Sequence, residues 1–324
     1  MNRALLPLTP LYAAALAAKN LAWDRGWTHS ERLRGRVISI GNLSIGGSGK
    51  TPLAIRLAHL LRDQGIAVDV LSRGYGRGSD STLKVDSVGS AENFGDEPML
   101  IARAGIPVFV GDSRYEAGLM AEKETPRLHL LDDGFQHRQL AREVDIVVLH
   151  RSDFADRLLP AGRLRESFHA LRRANFVVLR EEDRDLEPEL RRRGCELPIW
   201  WMRRTIDLPE ASRVLVFCAI ARPGEFFEEL RRQGCDVLET RAWRDHHAYT
   251  AGDLAELITL SQRYGADTLL TTEKDLVRLR PEQRRQLEAA APLLAARLTV
   301  RLVDEPGVVE ALLARLGAAN PVRK

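Results

Sequence analysis

From Val37 onward the chain alternates two patterns. Short runs of consecutive apolar residues give way to longer stretches whose apolar positions recur every three or four residues. The run "RVISIG" predicts a buried strand. Lys50 to Gln64 predicts a helix, stopped by Gly65. "IAVDVLS", "IPVFVG", "RLHLLDD", "VDIVVLH" and "NFVVLR" predict further strands. Buried strands separated by helical stretches imply a parallel sheet with right-handed crossovers. The alternation restarts near Arg213. "RVLVFCAIA" reads as a strand, and "PGEFFEELRRQG" as a helix with proline near its start and glycine at its end. "CDVLETR" and "DTLLTT" read as strands, and a last one near Leu298–Val303 fits either unit. The expected fold is α/β: a P-loop NTPase-like parallel sheet with helices on both faces, plus a second, smaller α/β domain. The boundary falls near Leu208–Ser212. This divides the chain into residues 1–36, 37–211 and 212–324.

The 324 residues exceed what one core comfortably serves, which agrees with two domains. With 44% hydrophobic and 29% charged residues, the composition is that of a folded body. A net charge of +3 is too balanced for wholesale nucleic-acid binding, and nothing in the sequence calls for an obligate protein partner. The runs Arg191–Arg193 and Arg203–Arg204 read as solvated faces. Cys195, Cys218 and Cys235 are odd in number and match no metal spacing, so they read as thiols in a reducing compartment.

The chemistry sits first in "SIGNLSIGGSGKTPLAIRLAHLL". A strand, a glycine turn and a helix starting at Lys50 make the P-loop arrangement. Ser44, Ile45, Gly46, Gly47, Ser48, Gly49, Lys50 and Thr51 would wrap a phosphate. Glycines let the backbone curl and present several N–H groups, and the helix adds its positive end. Lys50 would reach the β- and γ-phosphates, and the Thr51 hydroxyl would ligate Mg²⁺. The pattern G-x-x-x-x-G-K-S/T asks for glycine at 44, where this chain has Ser44. "RLHLLDDGFQH" supplies the acids such a site needs. A strand ends in Asp132-Asp133, one of which would hold Mg²⁺ as a hard-cation ligand. The plain alternative is a strand-end turn into Gly134.

Two competing motifs fail. "LSRGYGRGS" spaces its glycines wrongly for a dinucleotide fingerprint and does not open a helix. "TTEKD" has the wrong order for guanine recognition, so ATP is the expected nucleotide.

The amino terminus has an apolar run of 14 residues from Leu5 to Ala18. As a helix it would reach ~21 Å, short of a ~30 Å hydrocarbon core. Three readings stand: a signal peptide, a helix packed on the body, and an interfacial helix. The signal peptide sits poorly with a nucleotide site that begins soon afterwards. In the interfacial reading Tyr12 and Trp23 dip into lipid. Lys19, Arg25, Arg32, Arg34 and Arg36 then face acidic headgroups, each base adding ~1 kcal/mol.

"GNLSIGGSGKTP", "SRGYGR", "GDEPML", "LLDDGFQH", "PAGRLRE", "ARPGEF", "DHHAY" and "TTEKD" follow one another in that order. Together they resemble the tetraacyldisaccharide 4'-kinases of lipid A synthesis, from about Leu5 to Arg278. The Ser44 departure is one that family shares. Ala219 stands where the family has glycine. The resemblance implies transfer of the ATP γ-phosphate, with Mg²⁺, to the 4'-hydroxyl of an acylated glucosamine disaccharide 1-phosphate, giving lipid IVA. It also implies two α/β domains with the nucleotide between them, and monotopic attachment to the cytoplasmic face of the bacterial inner membrane. That favours the interfacial helix.

The resemblance also assigns roles. The residues of "GDEPML" alone favour a helix start with Asp96 as its cap, but the resemblance makes Asp96 the base for the sugar hydroxyl, and one Asp could serve both uses. His246 would pair with Asp96. A His246–His247 metal pair is the weaker reading, since adjacent residues point apart. Lys50, Thr51 and Asp132 serve the phosphates and the metal, with Glu97 assisting the metal. Asp133 and Gln136 lie close enough to reach phosphate or hydroxyl. Arg165 and Glu166 match a stretch implicated at the substrate, and Arg165 would grip the anionic lipid. Arg73 and Tyr75 lie nearby. Two rival readings remain: a soluble P-loop kinase or GTPase with a small polar substrate, and a nucleotide-gated module without turnover.

Overall fold

A computed structural model describes residues 3–124 and 128–318. Its strands are β1 (Arg36–Asn42), β2 (Val68–Ser72), β3 (Leu83–Lys84), β4 (Val108–Val110), β5 (Leu128–Asp132) and β6 (Val144–Val148). They continue with β7 (Phe176–Arg180), β8 (Ile199–Asp207), β9 (Val214–Cys218), β10 (Val237–Ala242), β11 (Thr268–Thr272) and β12 (Leu293–Leu302). All belong to one sheet, ordered β10-β9-β11-β12-β8-β7-β6-β1-β5-β2-β4-β3. Pairings are parallel except β8 with β12 and β3 with β4.

Both faces of the central strands are covered, which is why their sequences are continuously apolar. Helix α1 is Thr9–Asp24 and α2 is Lys50–Asp63. On one face, Leu53, Leu57 and Leu61 of α2 pack on Ile38, Ile40 and Ile146. Each fully buried leucine contributes about 1.5–3 kcal/mol. On the other face Leu43, Phe135, Val147, Leu149 and Val177 form a second cluster. In β9 the alternation is strict. Val214, Val216 and Cys218 face one cluster, Leu215 and Phe217 another.

Strand β8 was not expected, because its second half, Arg203 to Asp207, carries charged residues at exposed or half-buried positions. It is paired on both sides all the same. Strand β12 is longer than the expected Leu298–Val303 run. It runs parallel to β11 at its start and antiparallel to β8 at its end. The sheet therefore continues unbroken past Leu208–Ser212.

One carboxylate ties the carboxy-terminal elements to the core beside the phosphate loop. Glu225, on helix Pro223–Arg232, meets Arg180 Nη2 at 2.7 Å and His150 Nε2 at 3.1 Å. Arg222 follows at 3.4 Å and Arg204 at 3.8 Å. Burial opposes its ionisation, but His150, Arg180 and Arg222 hold its pKa down, from 4.5 to about 2. A group depressed on folding stabilises above its unfolded pKa and loses that contribution as pH falls through the folded value. Glu225→Gln is therefore expected to lower the melting temperature by a few degrees at neutral pH. The gap to the parent should shrink below about pH 4.5. Thermal melts across pH would check this, and a gap independent of pH would refute it.

Candidate active site

The strand register sets the centre of the site. Ile40 of β1 lies opposite Asp132 of β5, so the strand-end acids stand beside the turn that leaves β1. That turn, Ser44 to Gly49, enters α2 at Lys50. Gly46 has φ 110° and Gly49 φ 93°, in the region open to glycine. A Cβ on Gly46 would also meet the Arg163 guanidinium. Residues Ile45 to Thr51 line a cleft of about 1940 Å³, which also receives Asp132, Asp133, Arg165 and His246.

The two acids differ sharply. Asp133, at φ 49°, lies between Lys50 Nζ (3.4 Å) and both terminal nitrogens of Arg165 (2.7 and 2.9 Å). Burial opposes its ionisation, but Lys50 and Arg165 prevail and hold the carboxyl well below its usual range. Asp132 is buried behind it. Burial first, then the Asp133 charge, push its pKa up to about 7. Among the described residues its Oδ2 has only a 3.5 Å hydrogen bond from Ser72, and its Oδ1 has no hydrogen-bond partner. A buried carboxylate oxygen left bare fits a site for Mg²⁺, which would remove that cost. Thr51 and Glu97 line the same cleft.

Next to Glu97 and His246, which line the cleft, lies Asp96, the first residue of helix Asp96–Arg103. The capping position belongs to Gly95, and the Asp96 side chain does not cap the helix. It meets His246 Nδ1 at 2.8 Å and Arg278 Nε at 2.6 Å. Burial opposes ionisation here too, but the His246 hydrogen bond and the Arg278 and Lys274 charges keep the pKa below the usual carboxylate value. An ionised carboxylate has no proton to give, so His246 Nδ1 is the donor. Glu97 pairs with Lys274 at 2.6 Å. Asp96, Glu97 and His246 offer ligand atoms within 4.8 Å of one another. His247 turns away to Asp253, at 2.9 Å, so the two adjacent histidines do not converge.

The remaining candidates cluster around Arg165 and Glu166. Glu166 accepts from Gln136 (3.1 Å), Asn20 of α1 (3.2 Å) and both terminal nitrogens of Arg173 (2.9 Å each). Tyr12 of α1 donates to the Arg165 carbonyl at 2.8 Å. Tyr75, 64% exposed, leans on the His246 ring with centroids 5.1 Å apart. Arg73 is exposed, 3.9 Å from Asp112. Burial and the charges of Arg114, Arg142, Lys19 and Arg73 drive His137 down to about 4. This cationic field suits an anionic ligand.

Sequence reasoning missed Asn42, Arg114, Lys274 and Arg278. Asn42 and Arg165 share a hydrogen bond. Arg114 lies buried close enough for the charges of Asp132 and Asp133 to act on it. The one signal for Lys274 and Arg278 was their four-residue spacing in "EKDLVR", which puts both cations on one helix face.

A strand, glycine cradle and helix, with buried Asp132 ending the neighbouring strand and half-buried Asp133 just after it, define a phosphotransferase with a P-loop kinase fold. The family model for "Tetraacyldisaccharide-1-P 4'-kinase" (LpxK) matches residues 1–317. A tetraacyldisaccharide 4'-kinase of Koribacter versatilis is 44% identical over 324 residues, covering 95% of this chain and 97% of that one. One from Aquifex aeolicus is 36% identical, covering 86% and 90%. A crystal structure of Aquifex aeolicus LpxK in complex with ATP superposes with a TM-score of 0.77 at 33% identity, covering 96% of this chain and 98% of that one. The chain belongs to the tetraacyldisaccharide-1-P 4'-kinase family.

Proposed function

We propose that the chain transfers the γ-phosphate of ATP to the 4'-hydroxyl of tetraacyldisaccharide 1-phosphate, at the surface of the inner membrane. The observation that carries this is one cleft lined both by the phosphate cradle and by His246, whose Nδ1 is hydrogen-bonded to the Asp96 carboxylate. We read residues 37–211 as the phosphate-gripping core and 212–324 as the unit that brings His246 to it.

The backbone N–H groups of the turn and Lys50 hold the phosphates. Thr51 and Asp132, with Glu97 beside them, would hold Mg²⁺, which would supply neutralising positive charge for phosphoryl transfer. Asp133 fixes Lys50 and Arg165 in place. Asp96 accepts the hydroxyl proton while His246 orients it. Arg165, Gln136, Glu166, Arg73 and Tyr75 surround the sugar phosphate. Lys19 of α1 lines the same cleft, so α1 lies on the acceptor side.

No described helix is long and apolar enough to cross a membrane. Helix α1 buries none of its described residues fully, and its neighbourhood exposes Leu8, Leu11, Leu21 and Trp27, the last 67%. We read this surface as lying in the lipid interface. Leu11→Asp is expected to reduce co-sedimentation with anionic vesicles at least tenfold, since each buried apolar side chain adds about 1.5–3 kcal/mol. Unchanged sedimentation would remove the helix from the interface.

The reaction is tested by incubating the enzyme with γ-labelled ATP and the acylated disaccharide 1-phosphate, then locating the new phosphate. Label at the 4'-position supports the assignment. Label appearing only on small polar sugars would replace it with the soluble-kinase reading.

A further inference from the structure

His246 and Arg278 both donate to the same oxygen of Asp96, Oδ2. Oδ1 accepts no hydrogen bond from the described residues, and the side chain keeps 10% of its surface exposed. The carboxylate is thus asymmetric, with one oxygen held and one left open.

The holding is rigid. Arg278 is 5% exposed, and its guanidinium is gripped at separate nitrogens. Nε goes to Asp96, while Nη1 goes to Asp275 Oδ1 at 3.0 Å and to the Ala219 carbonyl at 2.5 Å. Asp275 is fully buried and is itself fixed by Tyr249, Thr272 and the Ala219 N–H. The Ala219 carbonyl also accepts from the His246 N–H, at 3.3 Å. His246 stands at φ 61°, a conformation that costs a non-glycine residue free energy and persists only where its surroundings impose it. One backbone carbonyl therefore places both donors.

We propose that Arg278 is a positioning residue for the Asp96 base: by occupying Oδ2 alongside His246 it aims Oδ1 at the acceptor hydroxyl. This rests on the reading of Asp96 as the base. The hydroxyl proton passes to Oδ1. The oxygen's electron pair forms the bond to the γ-phosphorus, the bond from that phosphorus to the bridging oxygen breaks, and ADP leaves with its electron pair. Pairing with a guanidinium makes a carboxylate a weaker base, so Arg278 supplies aim rather than basicity. A loose phosphoryl-transfer transition state tolerates this, because it asks little of the base beyond placement. A cross-brace between the two parts of the chain would show the same contacts but would not act through Asp96.

The test is a double-mutant cycle of Arg278→Gln and Asp96→Asn, with Arg278→Lys as a milder variant and thermal melts to verify folding. Arg278→Gln is expected to lower kcat ~10²-fold with KM for both substrates near the parent's, the cost of a misplaced group. Arg278→Lys should recover part of that rate, since one ammonium reaches Oδ2 but cannot also hold Asp275 and Ala219. In the Asp96→Asn background, Arg278→Gln should cost less than ~3-fold more. If it costs the same factor in both backgrounds, Arg278 does not act through Asp96 and the proposal falls. If Arg278→Gln does not fold, the same cycle run with Arg278→Lys separates the same two outcomes. A near-parental rate for Asp96→Asn alone would instead sink the base assignment.

Discussion

Lys50→Ala is expected to lower kcat/KM about 10³-fold, the loss that follows removal of a transition-state charge donor from a preorganised site. It is also expected to weaken ATP binding roughly tenfold to a hundredfold, since hydrogen bonds to charged groups contribute about 1.5–3 kcal/mol. Lys50 does two things. In the proposed reaction it carries an ammonium to the phosphates, and it neutralises Asp133 at 3.4 Å. Without it, Arg165 alone faces Asp133, while Asp132 stays buried behind. The vacated position would then repel phosphate rather than merely fail to attract it. Nucleotide titration and steady-state kinetics would measure both effects. Loss of affinity with an intact kcat would confine Lys50 to binding, and unchanged kinetics would remove it from the site.

Asp96→Ala is expected to behave differently. Turnover should fall ~10³-fold, within the range for loss of a positioned base, while ATP affinity stays within ~3-fold. The reason is where the group acts. Its hydrogen bonds run to His246 and Arg278, away from the phosphate cradle, and it does not cap its helix. Removing it should therefore cost little in helix structure. It does leave Arg278 buried without its Asp96 partner, so a lower melting temperature is expected alongside the lost rate. An alanine variant with near-parental turnover would end the assignment.

The cradle and the acids were legible because each is local. A glycine turn between a strand and a helix, or two acids ending an apolar run, declares itself within a dozen residues. The sheet was legible where both its faces are buried and illegible in β8, whose second half is only partly buried and charged. Arg203 and Arg204, read from sequence as a solvated face, sit in that strand; Arg204 lies 3.8 Å from Glu225, on the carboxylate that ties helix Pro223–Arg232 to the core. The pairing of Asp96 with His246 spans 150 positions, and no periodicity carries such a distance. It entered only through resemblance. Arg278 was missed even so, because its four-residue spacing from Lys274 tells only which helix face it shares, not which carboxylate it meets. The capping reading of Asp96 failed for a local reason: Gly95, at φ 89°, takes the capping place and leaves the carboxylate free to turn to the other unit.

Tyr12 and Asn20 reach from α1 to Arg165 and Glu166. Anyone trimming the first two dozen residues to obtain a better-behaved preparation would also cut the hydrogen bonds that support Arg165, which lines the cleft, and Glu166 next to it. The shortened enzyme would be a poor surrogate for inhibitor screening, because compounds selected on it would be fitted to a site with a missing wall.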